Sequence, residues 1–144
     1  MHRIALLATV LLAASACGGS KKSDSTAPTG GGGAAGGTAL GKTMDTAPTQ
    51  TLPVRIDVTA PCNDSGYFKL DVPAGQAFSI DAKVSAGSAM IDVADANGKS
   101  AGVSAEVTVD APKTISATGQ EGGTFVTTSE TGACVGGTVT LDMK

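Results

Sequence analysis

Residues 78–84 read Phe-Ser-Ile-Asp-Ala-Lys-Val, and this stretch decides the fold class. Apolar side chains at positions 78, 80, 82 and 84 alternate with polar side chains at positions 79, 81 and 83. Successive side chains of a strand point to opposite faces, so this alternation buries one face and leaves the other in water. Strands of this kind are typical of antiparallel sheets. The same alternation recurs in residues 54–58, 68–72, 107–109 and 139–143.

Short turns separate these runs and limit each strand to a few residues. Further strands are predicted for residues 89–94, 113–118 and 124–128. Gly, Asn, Asp and Pro cluster between the strands, for example at residues 95–98 and 132–137, and such clusters favour tight reversals. Helical spacing is absent from this part of the sequence. We therefore predict that residues 52–144 form an all-β domain, an antiparallel β-sandwich.

The chain before residue 52 has a different composition. Residues 18–50 are rich in Gly, Ser and Thr, include a run of four glycines at residues 30–33, and show no hydrophobic periodicity. A segment of this kind buries too little apolar surface to offset the entropy lost on ordering. We predict that residues 17–51 are a flexible, disordered linker that begins at Cys17.

The first sixteen residues have the features of a secretory signal peptide. His2 and Arg3 follow the initial Met, and residues 4–14 form an apolar run. At about 1.5 Å per residue, this run is too short to span a bilayer. A basic start, a short apolar segment and small residues before a cleavage site predict a signal peptide at residues 1–16.

The junction Ala14-Ser15-Ala16-Cys17 resembles the lipobox of bacterial lipoproteins. The resemblance implies that Cys17 becomes the mature N-terminus and carries lipid, so that the protein is anchored to a membrane outside the cytoplasm. The alternative is an ordinary signal peptide that happens to precede a Cys. Gly18 stands where inner-membrane lipoproteins commonly have Asp, so in a Gram-negative organism we expect the outer membrane or the cell surface.

The remaining cysteines form an even pair. The chain has three cysteines, and lipid on Cys17 leaves Cys62 and Cys134. Outside the cytoplasm such a pair is expected to form a disulfide, which would join the end of the first strand to the start of the last. Metal ligation is the alternative, but neither His nor a C-x-x-C motif accompanies these cysteines.

From residue 66 to residue 143 the order of features resembles the bacterial pre-peptidase C-terminal domain. The matching segments are Tyr-Phe-Lys-Leu at 67–70, Val-Pro-Ala-Gly at 72–75, the strand at 78–84, Asp-Ala-Asn-Gly at 95–98, Gly-Thr-Phe at 123–125 and Thr-Val-Thr-Leu at 138–141. The resemblance implies a jelly-roll-like β-sandwich that serves as an accessory module and not as a catalyst.

The residue inventory argues against catalysis and against cofactors. The one His is His2, which the predicted cleavage removes, so His-dependent nucleophilic catalysis and His-ligated zinc are excluded. Asp92, Asp95 and Asn97 precede Gly98 and offer three oxygen ligands, which makes them weak calcium candidates. The alternative is a plain hairpin turn, because Asn-Gly after a strand favours one. We expect no cofactor and no enzymatic activity.

Three functions compete on the sequence alone. The first is a non-catalytic module that binds an unknown protein partner in the cell envelope, and the second is a ligand-binding or hydrolase-inhibiting lipoprotein. An enzyme is the third. A net charge of −3 without a basic cluster argues against nucleic acid as a partner. A large exposed apolar patch would favour protein binding, whereas a concave pocket with converging polar groups would favour a ligand.

Overall fold

The computed structural model describes residues 37–144, so the predicted signal peptide, Cys17 and the first part of the predicted linker lie outside the described residues. Nine strands account for most of the described chain. They are β1 (Thr49–Thr51), β2 (Val54–Thr59), β3 (Gly66–Asp71), β4 (Ala77–Val84), β5 (Ser88–Ala94), β6 (Ser100–Thr108), β7 (Lys113–Thr118), β8 (Thr124–Thr131) and β9 (Thr138–Met143).

The strands form two sheets that pack face to face. One sheet has five strands in the order β1-β3-β8-β5-β6, and the other has four in the order β2-β9-β4-β7. The antiparallel pairs are nested, since β2 pairs with β9, β3 with β8, β4 with β7 and β5 with β6. Successive pairs alternate between the two sheets, which is the arrangement of a jelly roll. The predicted all-β sandwich is confirmed.

The alternating side chains divide between the core and the two outer faces as predicted. In β4, Phe78, Ile80, Ala82 and Val84 are buried. Because the register aligns Ile80 with Ile115 and Met143, rows of buried side chains continue across neighbouring strands. Full burial of each large apolar side chain contributes roughly 1.5–3 kcal/mol. Other core side chains are Ile56, Val58, Phe68, Leu70, Ile91, Val93, Val107, Val126, Val139 and Leu141.

The folded domain begins before residue 52, so the predicted end of the linker at residue 51 is too late. The backbone N–H of Thr38 donates to the carbonyl of Asp57 at 2.8 Å, and Gly41 exchanges two 2.9 Å hydrogen bonds with Tyr67. A short 3₁₀ helix, Met44–Thr46, follows, and β1 then pairs in parallel with β3. The β1 sequence Thr-Gln-Thr is polar throughout and lacks the alternation that marks the other strands.

The two cysteines of the domain meet where β2 and β9 adjoin. Cys62 lies after β2, Cys134 lies in the loop between β8 and β9, and the structure bonds them with 5.3 Å between their Cα atoms. This separation is within the usual range for a disulfide and is compatible with the predicted pairing. The disulfide therefore links the chain just after β2 to the chain just before β9, the first and last strands of the smaller sheet in sequence order.

A buried carboxylate also holds the loop between β8 and β9. Glu130 is 9 % exposed at the end of β8, and its carboxylate accepts hydrogen bonds from the backbone N–H groups of Val135 and Gly136. Cys134 itself has a φ of 50°, in the left-handed region. The disulfide and the carboxylate together fix a loop that has no regular secondary structure.

Candidate functional site

Two of the weak calcium candidates, Asp95 and Asn97, form the turn between β5 and β6. Asp95 Oδ1 accepts hydrogen bonds from the backbone N–H groups of Asn97 at 2.8 Å and Lys99 at 3.0 Å. The hydrogen bond from Lys99, followed by that from Asn97, lowers the pKa of Asp95 below its ordinary value. This is the arrangement of an Asx turn.

Asp92 does not join Asp95 in a common cluster of ligands. Its Oδ1 accepts a hydrogen bond from the hydroxyl of Ser100 at 2.8 Å, on the outer face of the five-stranded sheet. Within residues 37–144 no group of three or more His, Cys, Asp or Glu side chains is positioned to hold a metal ion. The geometry of these residues is that of a hairpin.

The candidate site is a cleft on the outer face of the four-stranded sheet, and we call it the sheet cleft. It has a volume of about 310 Å³ and crosses all four strands. Charged and hydroxyl side chains from each strand line it: Arg55 from β2, Thr140 and Asp142 from β9, Asp81 and Lys83 from β4, and Lys113 and Thr114 from β7. The cleft thus brings together polar side chains from all four strands of this sheet.

One row of the sheet cleft consists of Arg55, Asp142, Asp81 and Thr114, which are direct cross-strand partners in that order. Directly opposed side chains lie about 5 Å apart at Cβ. The two carboxylates are therefore neighbours, and their like charges repel one another. Arg55 lies on one side of this acidic pair and the Thr114 hydroxyl on the other.

Asp81 is held in its ionised form. It accepts a hydrogen bond from the hydroxyl of Thr114 at 2.6 Å and forms a 2.7 Å ion pair with the ammonium of Lys144. The hydrogen bond from Lys144, with a further contribution from Thr114, lowers the pKa of Asp81 below its ordinary value of 3.8. The hydrogen bond to Asp81 and the charges of Asp81 and Asp142 raise the pKa of Lys144.

Thr140 and Lys83 of the sheet cleft are also direct cross-strand partners, and Asp57, which does not line the cleft, lies opposite Thr140 on β2. Thr140 donates its hydroxyl hydrogen to Asp57 Oδ1 at 2.6 Å. The carboxylates at positions 57 and 81 therefore both accept hydrogen bonds from neighbouring side chains. Lys83, on the other side of Thr140, is exposed.

Several charges in the sheet cleft have no partner of opposite sign in the described part of the chain. Across residues 37–144 the one ion pair is that between Lys144 and Asp81. Arg55, Lys83 and Lys113 make no side-chain hydrogen bond within this range, and neither does Asp142. The cleft therefore presents to solvent three cations and one carboxylate that form no close ion pair.

A second cleft lies at the open edge of the sandwich, between β6 and β7. It has a volume of about 330 Å³ and is lined mainly by small side chains, among them Ala77, Ala101, Val103 and Ala117. No charged side chain lines it, and its polar lining residues are Ser116, Thr118 and Gln120.

The described surface has no large apolar patch of the kind that would favour protein docking. Among residues 37–144 the large apolar side chains that are exposed are Val109, in the turn after β6, and Val135, in the loop after β8. Tyr67, predicted to point outward, is partly exposed on the five-stranded sheet. The described residues also include no helix that is long and apolar enough to cross a membrane.

Comparison with known proteins does not assign this chain to a family. No protein-family profile matches it, and no curated protein matches it. The resemblance to the pre-peptidase C-terminal domain therefore stays a prediction, and a function has to be argued from the site itself.

The sequence analysis did not predict the sheet cleft. The alternation of β4 and β9 does indicate that Asp81 and Asp142 share the outer face. The pairing of these two strands and their register are long-range features, and a single sequence does not contain them. The signal that was available is the recurrence of charged side chains at outward positions of three strands, Arg55 on β2, Asp81 and Lys83 on β4, and Asp142 on β9.

Proposed function

We propose that this protein is a lipid-anchored, extracytoplasmic module that acts by binding and not by catalysis. The observation that supports binding is the sheet cleft, where three cations from three strands line one surface and none of them forms an ion pair among the described residues. Uncompensated charge on an open sheet face attracts ligands of complementary charge and guides their association.

The anchor is proposed from the sequence. The apolar run of residues 4–14 followed by Ala14-Ser15-Ala16-Cys17 supports lipid attachment at Cys17. Several acyl chains, each buried CH₂ contributing about 0.8 kcal/mol, hold a protein stably at a membrane. Gly18 then favours the outer membrane or the cell surface in a Gram-negative organism.

The chemistry of the two neighbouring carboxylates supports a non-catalytic role. General acid catalysis by a carboxyl group requires a pKa raised toward the working pH. Hydrogen bonds from Lys144 and Thr114 move the pKa of Asp81 in the opposite direction. The lowered pKa therefore disfavours Asp81 as a general acid and favours a role in structure and in charge recognition.

Of the two binding functions, the sheet cleft favours a polar ligand over an apolar protein interface. Converging charged and hydroxyl groups line the cleft, whereas the exposed large apolar side chains of the described surface are limited to Val109 and Val135. Hydrolase inhibition would need an extended contact surface, and nothing in the cleft favours it over a small ligand.

The anchor is tested by the intact mass of the protein extracted from membranes. We expect the mass of residues 17–144 plus a diacylglyceryl group and an acyl group, less two hydrogens for the disulfide. A Cys17→Ala variant should lose the lipid mass and leave the membrane fraction. An unlipidated wild-type mass would refute the anchor.

Binding is tested by co-sedimentation of the lipid-free Cys17→Ala chain with cell envelopes that lack the protein. We expect sedimentation at low ionic strength, loss of binding at high salt because ions screen exposed charges, and weaker binding when Lys83→Glu is added. The matched control is Lys99→Glu, an exposed lysine in the β5–β6 turn, outside the sheet cleft. Absence of sedimentation at every salt concentration would refute envelope binding.

A further inference from the structure

We infer that the sheet cleft binds an acidic sugar, meaning a saccharide unit that carries a carboxylate or a phosphate group. This inference rests on the proposed binding function and specifies its ligand class. It follows from three features of the cleft: the distribution of its charges, its hydrogen-bonding groups and its lack of aromatic side chains.

The charges of the sheet cleft favour a ligand that carries an anionic group. Lys83 and Lys113 lie on adjacent strands, and neither has a carboxylate partner among the described residues. Asp81, the carboxylate on β4 itself, forms an ion pair with Lys144 and accepts a hydrogen bond from Thr114. The β4–β7 side of the cleft is therefore cationic, and hydrogen bonds from ammonium groups to a carboxylate or phosphate are about twice as strong as neutral ones.

The rest of the cleft suits a polyhydroxylated body. Asp142 has acceptor capacity that no described side chain uses, and it lies one strand away from Asp81. A carboxylate accepts hydrogen bonds from neighbouring hydroxyl groups, whereas it would repel an anion without donors. Arg55, beside Asp142 on β2, supplies donors to ring or hydroxyl oxygens. A ligand that bears both an anion and several hydroxyl groups satisfies both ends of the cleft.

The lack of aromatic side chains in the sheet cleft and the volume of the cleft narrow the class of ligand further. No Trp, Tyr or Phe lines the sheet cleft, so a neutral sugar finds no stacking surface there. Affinity must then come from charge, which makes the anionic substituent a requirement. A volume of about 310 Å³ lies at the lower end of the range for small-molecule sites and accommodates one or two sugar units.

The test is titration of the ¹⁵N-labelled full chain, monitored by backbone amide shifts, with five probes. Glucuronate and glucose 6-phosphate carry the two anion types, glucose lacks the anion, and acetate or inorganic phosphate lacks the sugar. We expect saturable shifts at Lys83, Thr140 and Asp142 with glucuronate or glucose 6-phosphate. The more tightly bound of these two probes identifies the anion.

Variants then assign the binding to the cleft. Lys83→Gln should weaken binding about three- to tenfold, which corresponds to the loss of one charge-assisted hydrogen bond at an exposed site. Lys99→Gln, remote from the cleft, should leave the affinity unchanged. Because the Lys83 side chain is exposed and makes no described hydrogen bond, the fold should survive, and an unchanged spectrum outside the cleft verifies this.

Four results would overturn the inference. These are absence of saturable shifts with both acidic sugars, equal binding of glucose, equal binding of acetate or inorganic phosphate, and equal weakening by Lys99→Gln. If the membrane-extracted protein carries lipid and the lipid-free Cys17→Ala chain sediments in the charge-dependent way described above, but this titration fails, the proposed function stands and only the ligand class is wrong.

Discussion

Thr124 and Thr128 lie four residues apart on the inner face of β8 and are both fully buried, but only Thr124 has a hydrogen-bond partner for its hydroxyl among the described residues. Thr124 Oγ1 accepts a 2.9 Å hydrogen bond from the backbone N–H of Gln120, whereas Thr128 Oγ1 has no partner. A buried hydroxyl without a partner costs free energy that a methyl group of similar size does not.

We therefore predict that Thr128→Val stabilises the protein by about 1 kcal/mol, because Val replaces the unpaired hydroxyl with a methyl group of nearly the same shape. The matched variant Thr124→Val should destabilise it by about 1–3 kcal/mol, since the N–H of Gln120 loses its acceptor. Urea denaturation of the two variants beside wild type measures both values. Equal destabilisation by both substitutions would show that the Thr128 hydroxyl is paired in solution.

Glu130 fastens the loop between β8 and β9 through its buried carboxylate. Glu130→Gln should lower the free energy of unfolding by about 1.5–3 kcal/mol, because an amide offers one acceptor oxygen where the carboxylate offers two. The control is Glu121→Gln, an exposed residue in the β7–β8 turn, for which we expect a change within about 0.5 kcal/mol. An unfolding midpoint for Glu130→Gln equal to that of the Glu121→Gln control would show that the Glu130 carboxylate does not stabilise the loop.

The Cys62–Cys134 bond should contribute to stability by restricting the unfolded chain. Removing it with Cys134→Ser is expected to cost about 2–5 kcal/mol. The same loss should follow treatment of the wild-type protein with a strong reductant, and the variant should be insensitive to that treatment. Peptide mapping without reduction provides the direct check, and free thiols at both positions would contradict the pairing.

The Asp81–Lys144 ion pair should make stability depend on pH at both extremes. The folded-state pKa of Asp81 is lowered, so its contribution is present above the ordinary value of 3.8 and is lost as the pH falls through the folded-state pKa. The folded-state pKa of Lys144 is raised, so its contribution is full below 10.5 and disappears as the pH rises through the folded-state value. Both side chains are well exposed, and we expect a small effect that added salt reduces.

Melting temperatures of wild type and Lys144→Gln across this pH range test the pair. The difference between the two proteins should be largest near neutral pH and shrink toward both extremes. Lys42→Gln, remote in sequence from the pair, serves as the control for the loss of one positive charge. A pH-independent difference between wild type and Lys144→Gln would mean that the ion pair contributes nothing to folding in solution.

The start of the domain illustrates where sequence reasoning reached its limit. The composition of residues 38–51 is that of a linker, and nothing local in Thr-Gln-Thr distinguishes β1 from a loop. The strand forms because the exposed edge of β3 offers unpaired backbone groups to which Thr49–Thr51 aligns. The hydrogen bonds that stabilise β1 come from its partner strand β3, so the local sequence pattern does not reveal the strand.

By itself the sequence determined the fold class and which side chains face the core. Alternation such as that of Phe78, Ile80, Ala82 and Val84 has a period of two, and a strand obeys that period wherever it lies in the fold. Tertiary structure alone decided which outward residues became neighbours. Arg55, Asp142 and Asp81 are far apart in the chain and adjacent in the sheet, because strand order and register depend on the packing of the whole sandwich and on no local signal.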